Sequence, residues 1–176
     1  MKIIELSKDE YKGYPLSYEY VTKFYYDLSI KKRKDVKMIL KKKKFRKKTE
    51  KNSNSKLFED FIENPKVFAI FDKKKLVAVV EGSLESWSNR FRIWELLVDK
   101  KYRQEGYGKT LFNFITDYAI KLGARALVLE VQSCNEPAIK FYIDRGLHLV
   151  GFDTMSYSNK DIENKEIRLE FGKRLI

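Results

Sequence analysis

The residues best suited to chemistry are Arg103-Gln104-Glu105-Gly106-Tyr107-Gly108-Lys109, between an apolar strand-like run, Ile93-Trp94-Glu95-Leu96-Leu97-Val98, and a helical pattern starting near Thr110. A strand, a tight glycine turn and a helix N-terminus together make an anion site. The glycines let backbone approach a ligand closely. The unpaired amides of the first helical turn then point at that ligand, and the helix dipole favours negative charge. This stretch is ready-made for a diphosphate.

Other chemistries lack their parts. Cys134 is the only cysteine, so no intrachain disulfide forms, and a reducing cytoplasm is the expected setting. With one cysteine and one histidine, a Cys/His metal site has no ligand set and no metal is expected. A nucleophile–histidine pair would have to use His148, which has no nucleophile motif near it and reads as a strand residue beside Leu147, Leu149 and Val150. No run approaches the roughly 18 apolar residues of a membrane span. The opening Met1-Lys2-Ile3-Ile4-Glu5-Leu6-Ser7 has no apolar leader pattern.

The net charge of +12 is concentrated: Lys31 to Lys51 holds thirteen Lys/Arg against Asp35 and Glu50, so +11 falls there. The segment reads as a solvated helix face or a mobile loop over about 31–55. Attraction of a polyanion, nucleic acid or the ribosome is the unfavoured alternative, because the segment carries no base-reading motif.

The elements around the glycine turn follow from periodicity. With 176 residues and 43% apolar content, the chain is expected to form a single domain, 1–176. Tyr18 to Leu28 is read as an aromatic helix, and Val36, Ile39 and Leu40 continue an i, i+3, i+4 pattern. Leu57 to Ile62 reads as a short helix ended near Asn64-Pro65. Strands are predicted at Val67–Phe71, Leu76–Gly82, Arg92–Val98, Ala126–Val131, Leu147–Asp153 and Glu166–Phe171. One helix follows the glycine turn, with Leu111, Ile115, Tyr118, Ala119 and Leu122 on one face and Gly123 as its stop. A second opens at Asn135-Glu136-Pro137, with Ala138, Ile139, Tyr142 and Ile143 inward, and closes at Gly146. The order implies a mixed α/β sheet with helices on both faces. It is not a Rossmann fold, whose fingerprint carries three glycines after an early strand.

Arg103-x-x-Gly106-x-Gly108 after an apolar strand resembles the acetyl-CoA motif of the GNAT superfamily of N-acetyltransferases. Asn135-Glu136-Pro137-Ala138-Ile139-Lys140-Phe141-Tyr142 with Gly146 resembles the N-x-x-A-x-x-F-Y…G block those enzymes carry one strand later. The two blocks stand in the expected order, about 30 residues apart. Within the superfamily the chain is most similar to streptothricin acetyltransferases: Leu129-Glu130-Val131-Gln132 resembles their L-E-T-Q segment, and Gly151-Phe152-Asp153-Thr154-Met155 their G-x-D-T-x segment. The departures are Glu105, Tyr107, Val131 and Leu147; none touches the glycines or Tyr142.

The resemblance implies a central, twisted, mostly antiparallel sheet. It also implies acetyl-CoA as co-substrate and direct attack by a primary amine in a ternary complex. Arg103, Gln104, Glu105, Gly106, Tyr107, Gly108 and Lys109 are then the diphosphate-binding residues, and Leu97 and Val98 hold the pantetheine arm and polarise the thioester. Asn135 binds coenzyme A or caps its helix. Glu95, on the same strand face as Leu97, is the general-base candidate and Glu81 its rival. Tyr142 is the acid candidate. An amine acceptor calls for carboxylates, here Glu81, Glu130 and Asp153. The favoured acceptor is a small-molecule amine, the β-lysyl amine of streptothricin-like antibiotics. The alternatives are peptide or ribosomal N-acetylation and a non-catalytic coenzyme A-binding module. A homodimer is left open.

Overall fold

The computed structural model describes residues 1–32 and 34–176. The chain forms two compact units. Met1–Glu19, Asn52–Leu129 and Lys173–Ile176 make the first; Tyr20–Lys51 and Glu130–Gly172 make the second.

In chain order the elements are β1 (Ile4–Leu6), α1 (Lys8–Tyr11), β2 (Pro15–Lys32), β3 (Val36–Lys56), β4 (Lys66–Asp72), β5 (Lys75–Glu85), β6 (Arg90–Val98), α2 (Tyr107–Lys121), β7 (Ala126–Gln132), α3 (Glu136–Ile143), β8 (His148–Asp153), α4 (Asp161–Asn164) and β9 (Arg168–Arg174). In the first unit the strand order is β1-β4-β5-β6-β7, antiparallel except for β6–β7, which is parallel. In the second unit β7 is followed by β9 and then β8, the last two antiparallel. The fold is therefore mixed α/β, as the predicted element order implies, and its sheet is mostly antiparallel, as the resemblance implies.

The first unit positions the glycine turn. Val67, Ala69 and Val79 from one face of β4 and β5 pack with Leu6, Leu16, Leu57 and Phe58, and Tyr18 and Leu97 border that cluster. α2 packs against β4, β5 and β6. Phe68 reaches Phe114 and Tyr118 of α2 with ring centroids 4.8 and 5.2 Å apart. Leu111, Ile115 and Ala119 are fully buried as predicted, whereas Leu122 is exposed. The reason is the stop itself: Gly123 takes φ 73, its N–H donates to Ile120 O and that of Ala124 to Ala119 O, the hydrogen-bond pair of a Schellman cap.

The N-terminal third overturns four expectations. Tyr18–Leu28 is not a helix but part of β2, and Val36–Leu40 belongs to β3, its partner in a two-stranded sheet. Most of the lysine-rich segment is therefore strand rather than loop or helix, β2 to Lys32 and β3 from Val36, while Arg33 lies outside the described residues. Several of its lysines are tied down: Lys42 to Glu136, Lys43 to Asp27 and Lys51 to Glu166, each at 2.5 Å. Leu57–Ile62 forms turns rather than a helix, because Phe58 adopts φ 58 and breaks helical geometry at the second residue.

In the second unit Ile139, Leu147, Ile167, Leu169, Phe171 and Cys134 are buried. Ile167, Leu169 and Phe171 are buried while Glu166, Arg168 and Glu170 are partly exposed, the predicted period of two. Ile143, predicted inward on α3, is exposed. Among the described residues no helix is long and apolar enough to cross a membrane.

Candidate active site

The site in the first unit is built where β6 changes partners. Ile93 pairs with Gly82 and Glu95 with Glu81, so Trp94 is the extra residue of a β-bulge. A bulge bends a strand and sharpens its twist. The parallel ladder with β7 runs from Arg90↔Ala126 to Ile93↔Leu129 and ends there, one residue before the bulge. Glu95 to Val98 continue along β5 and remain half-exposed. Amides and carbonyls of this stretch that face away from β5 are thus available to an extended ligand.

Gly82 makes the bulge tight. A Cβ on Gly82 would lie 2.3 Å from a Phe91 ring carbon and 2.9 Å from the Arg92 carbonyl oxygen. Trp94 is fixed by its indole N–H, which donates to Ser83 Oγ at 2.9 Å, and by an edge contact with Phe61.

After β6 the chain makes a short 3-10 turn, Lys100–Tyr102, capped by Asp99. It then enters the glycine stretch. Gln104 (φ 68) and Gly106 (φ 90) both take left-handed conformations, and Gly106 is the N-cap of α2. No side chain caps this terminus, and the first helical hydrogen bond is Thr110 N–H to Gly106 O at 2.9 Å. The amides of Tyr107, Gly108 and Lys109 precede that bond, so they stand among the donors a helix start leaves without intrahelical partners. Gln104, Glu105, Gly106 and Lys109 are exposed, and Tyr107 and Gly108 half-buried. The backbone therefore offers a concave row of donors at a positive helix end, which suits the diphosphate of a nucleotide coenzyme.

Arg103 does something the spacing did not predict. Its Nε donates to Val98 O at 3.2 Å and its NH1 to Glu19 O at 2.7 Å. The guanidinium ties the loop to the end of β6 and to β2.

Two carboxylates stand behind the strand end. Glu81 is fully buried; its Oε1 accepts from Phe58 N–H at 2.9 Å, and its Oε2 has no hydrogen-bond partner among the described residues. Burial pushes the Glu81 carboxyl up to about 7; the Phe58 amide opposes the rise, and the neighbouring Glu95 and Glu59 charges add to it. Glu95 is half-exposed and accepts from the Tyr18 hydroxyl. Sequence reading missed Tyr18 as a partner because it placed that residue on a helix.

The second unit holds the other predicted residues. Asn135 caps α3, its side-chain oxygen accepting from Ala138 N–H at 3.3 Å. Tyr142 lies on α3, half-buried, with its ring 5.4 Å from that of Phe141. Glu130 on β7 pairs with Arg168 Nε at 2.8 Å and accepts from the Tyr157 hydroxyl at 3.2 Å. Asp153 ends β8, exposed, and accepts from Met155 N–H at 2.8 Å. Leu97, Val98, Glu81, Glu95 and the 103–109 stretch thus belong to one unit, and Glu130, Asn135, Tyr142 and Asp153 to the other. His148 opens β8 and is exposed.

Residues 34–147 match the model of the acetyltransferase (GNAT) family, and that match takes in the bulged strand, the glycine turn and α3. The chain belongs to the GNAT family. Among curated proteins it is 32% identical over 83 residues to streptothricin acetyltransferase of Streptomyces lavendulae, covering 47% of this chain and 44% of that protein. It is 26% identical over 102 residues to streptothricin acetyltransferase of Escherichia coli, covering 58% of each. The chain spans about half the length of the curated relatives it matches. Among solved structures, nourseothricin acetyltransferase superimposes with a TM-score of 0.74 at 22% identity, over 99% of this chain and 98% of that one. A Bacillus anthracis protein classed with the streptothricin acetyltransferases, solved with acetyl coenzyme A, gives 0.71 at 19% identity, over 99% of each chain. At these identities the structural likeness is one of fold. The ribosomal-protein-S18-alanine N-acetyltransferase of Escherichia coli aligns over less of the chain, 62% of it, with a TM-score of 0.53.

Proposed function

We propose that the whole chain works as one acetyl-CoA-dependent N-acetyltransferase domain acting on a primary amine. The favoured acceptor is a streptothricin-type antibiotic, so that the cellular role is resistance and the setting the cytoplasm. The observation that carries this reading is the uncapped α2 N-terminus at Gly106, directly downstream of a bulged strand that bears a carboxylate. The streptothricin acetyltransferases among its relatives support the choice of acceptor.

The residues divide the work as follows. The amides around Gly106 to Lys109 hold the coenzyme's diphosphate, with Gln104 and Glu105 shaping the loop and Arg103 bracing it. Leu97 and Val98 offer backbone groups to the pantetheine arm. Acetyl-CoA supplies the activated acyl thioester. An alkylammonium has a pKa of about 10.4, so the acceptor must lose a proton before it can attack. Glu95 takes that proton, directly or through water. Amide donors near Leu97 favour charge growing on the carbonyl oxygen. Tyr142 orients the departing sulfur and gives it a proton. Glu130 and Asp153 supply the negative field that draws the amine, although Glu130 already answers to Arg168; Glu81 is fully buried and adds no charge while it is protonated.

Thiol release measured with acetyl-CoA and a panel of amines including streptothricin tests the reading. Release is expected only when coenzyme and amine are both present, with streptothricin the best acceptor. No release across antibiotics, polyamines and peptides would overturn it.

A further inference from the structure

Glu81 and Glu95 face each other directly across the antiparallel β5–β6 ladder. Residues so paired share a face, with Cβ atoms about 4.5–5.5 Å apart. On the other side of Glu81, β4 presents Val67. Above the face lie Leu57 and Phe58, and Phe58 N–H fills only Oε1 of Glu81. Its Oε2 is buried and bare. Among the described residues no lysine or arginine forms an ion pair with Glu81. The charged or titratable groups acting on it are Glu95 from β6 and Glu59 from the turn after β3, both of which would repel its charge. Glu95 differs: it is half-exposed and receives the Tyr18 hydroxyl from β2. Two carboxylates at this spacing, one with an unsatisfied oxygen in an apolar enclosure, do not both ionise at low cost.

We propose that Glu81 and Tyr18 are positioning residues that act through Glu95: the two carboxyls hold one proton between them in the resting protein, Glu81 carries it, and Tyr18 keeps Glu95 ionised and oriented. This rests on the acetyl-transfer reading for its purpose. An incoming ammonium then meets a single negative charge. Two would bind it more tightly but would also stabilise its protonated form and so oppose the step that frees the amine. When the N–H proton passes to Glu95, the products are a neutral amine and a second carboxylic acid, which returns its proton to solvent. Glu81 is thus the neutral member of the pair, not a rival base.

Infrared difference spectroscopy of the full chain, with the glutamate carboxyls carbon-13 labelled and no substrate present, tests this. The wild-type protein is expected to show the carbonyl stretch of one buried protonated glutamate at about pH 6, lost with a midpoint near about 7. Glu81→Gln should lack the band. Tyr18→Phe should weaken it and add a solvent-exposed carboxylic acid band, because Glu95 without its donor competes for the shared proton. A wild-type spectrum without the band overturns the proposal with no variant needed. A band that survives Glu81→Gln, or one left unchanged in Tyr18→Phe, overturns it as well. Failure of the thiol-release screen leaves this measurement untouched, so the two readings fall separately.

Discussion

Arg103 donates to the carbonyl of Val98, the last residue of β6. A side chain at the start of the glycine stretch thereby braces the loop that follows the strand, while the amides of Tyr107, Gly108 and Lys109 precede the first helical hydrogen bond. Arg103→Ala is expected to weaken acetyl-CoA binding about tenfold, or about 1.4 kcal/mol, with the far-ultraviolet circular dichroism unchanged. Arg103→Lys should restore only part of the loss, because an ammonium cannot span both carbonyl acceptors as the guanidinium fork does. Isothermal titration calorimetry reads both.

The glycines of the site separate strain from crowding. Gly106 has open space where a Cβ would stand but sits at φ 90, so Gly106→Ala meets only backbone strain. We expect a loss of about 1–2 kcal/mol in urea unfolding together with weaker coenzyme binding. Gly82 has ordinary φ but no room beside Phe91. Gly82→Ala is expected to cost about 1–3 kcal/mol through overpacking and to lower the melting temperature.

Glu95→Gln and Tyr142→Phe each remove a proton-handling group while keeping the side chain's shape. Each is expected to lower kcat at least about tenfold, about 1.4 kcal/mol of transition-state stabilisation. The Kd for acetyl-CoA should hold within about twofold. Unaltered turnover in both variants would show that neither group handles a proton in the reaction.

Stability should carry a pH signature of Glu81. Its carboxyl is raised in the folded protein from 4.5 to about 7, so between those values the folded state binds more protons than the unfolded one. Stability then falls as pH rises through that window, because the unfolded chain gives up its proton first. Glu81→Gln removes this slope. The melting temperature of the variant relative to wild type is therefore expected to climb from about pH 5 to about pH 8, as read by calorimetric scans.

What the sequence made legible was local. The β4–β5–β6 strands, the glycine turn, Gly123 as a stop and Asn135 as a cap are each decided within a few residues, and each was found. The failures lie where one pattern served two structures. Tyr18, Tyr20, Thr22 and Phe24 turn inward while Glu19, Val21 and Lys23 face solvent, a period of two hidden in a run of aromatics that also suits a helix. In β3, lysines occupy both faces and erase the alternation. At Leu57–Ile62 the left-handed Phe58 defeats a helical composition. The site's second layer was hidden for a different reason. Tyr18 finds Glu95 across 77 positions and Phe58 finds Glu81 across 23, and nothing in the neighbourhood of either residue announces the other.

Among the described residues β3 has a single ladder neighbour, β2, and it extends for 21 residues. A strand that long with a vacant flank is a template on which another chain could stack. Lys41, Lys44, Arg46, Lys47 and Lys48 stand exposed along it, and like charges there repel any second copy. A cationic stretch placed there opposes the growth of a long ribbon into a fibril.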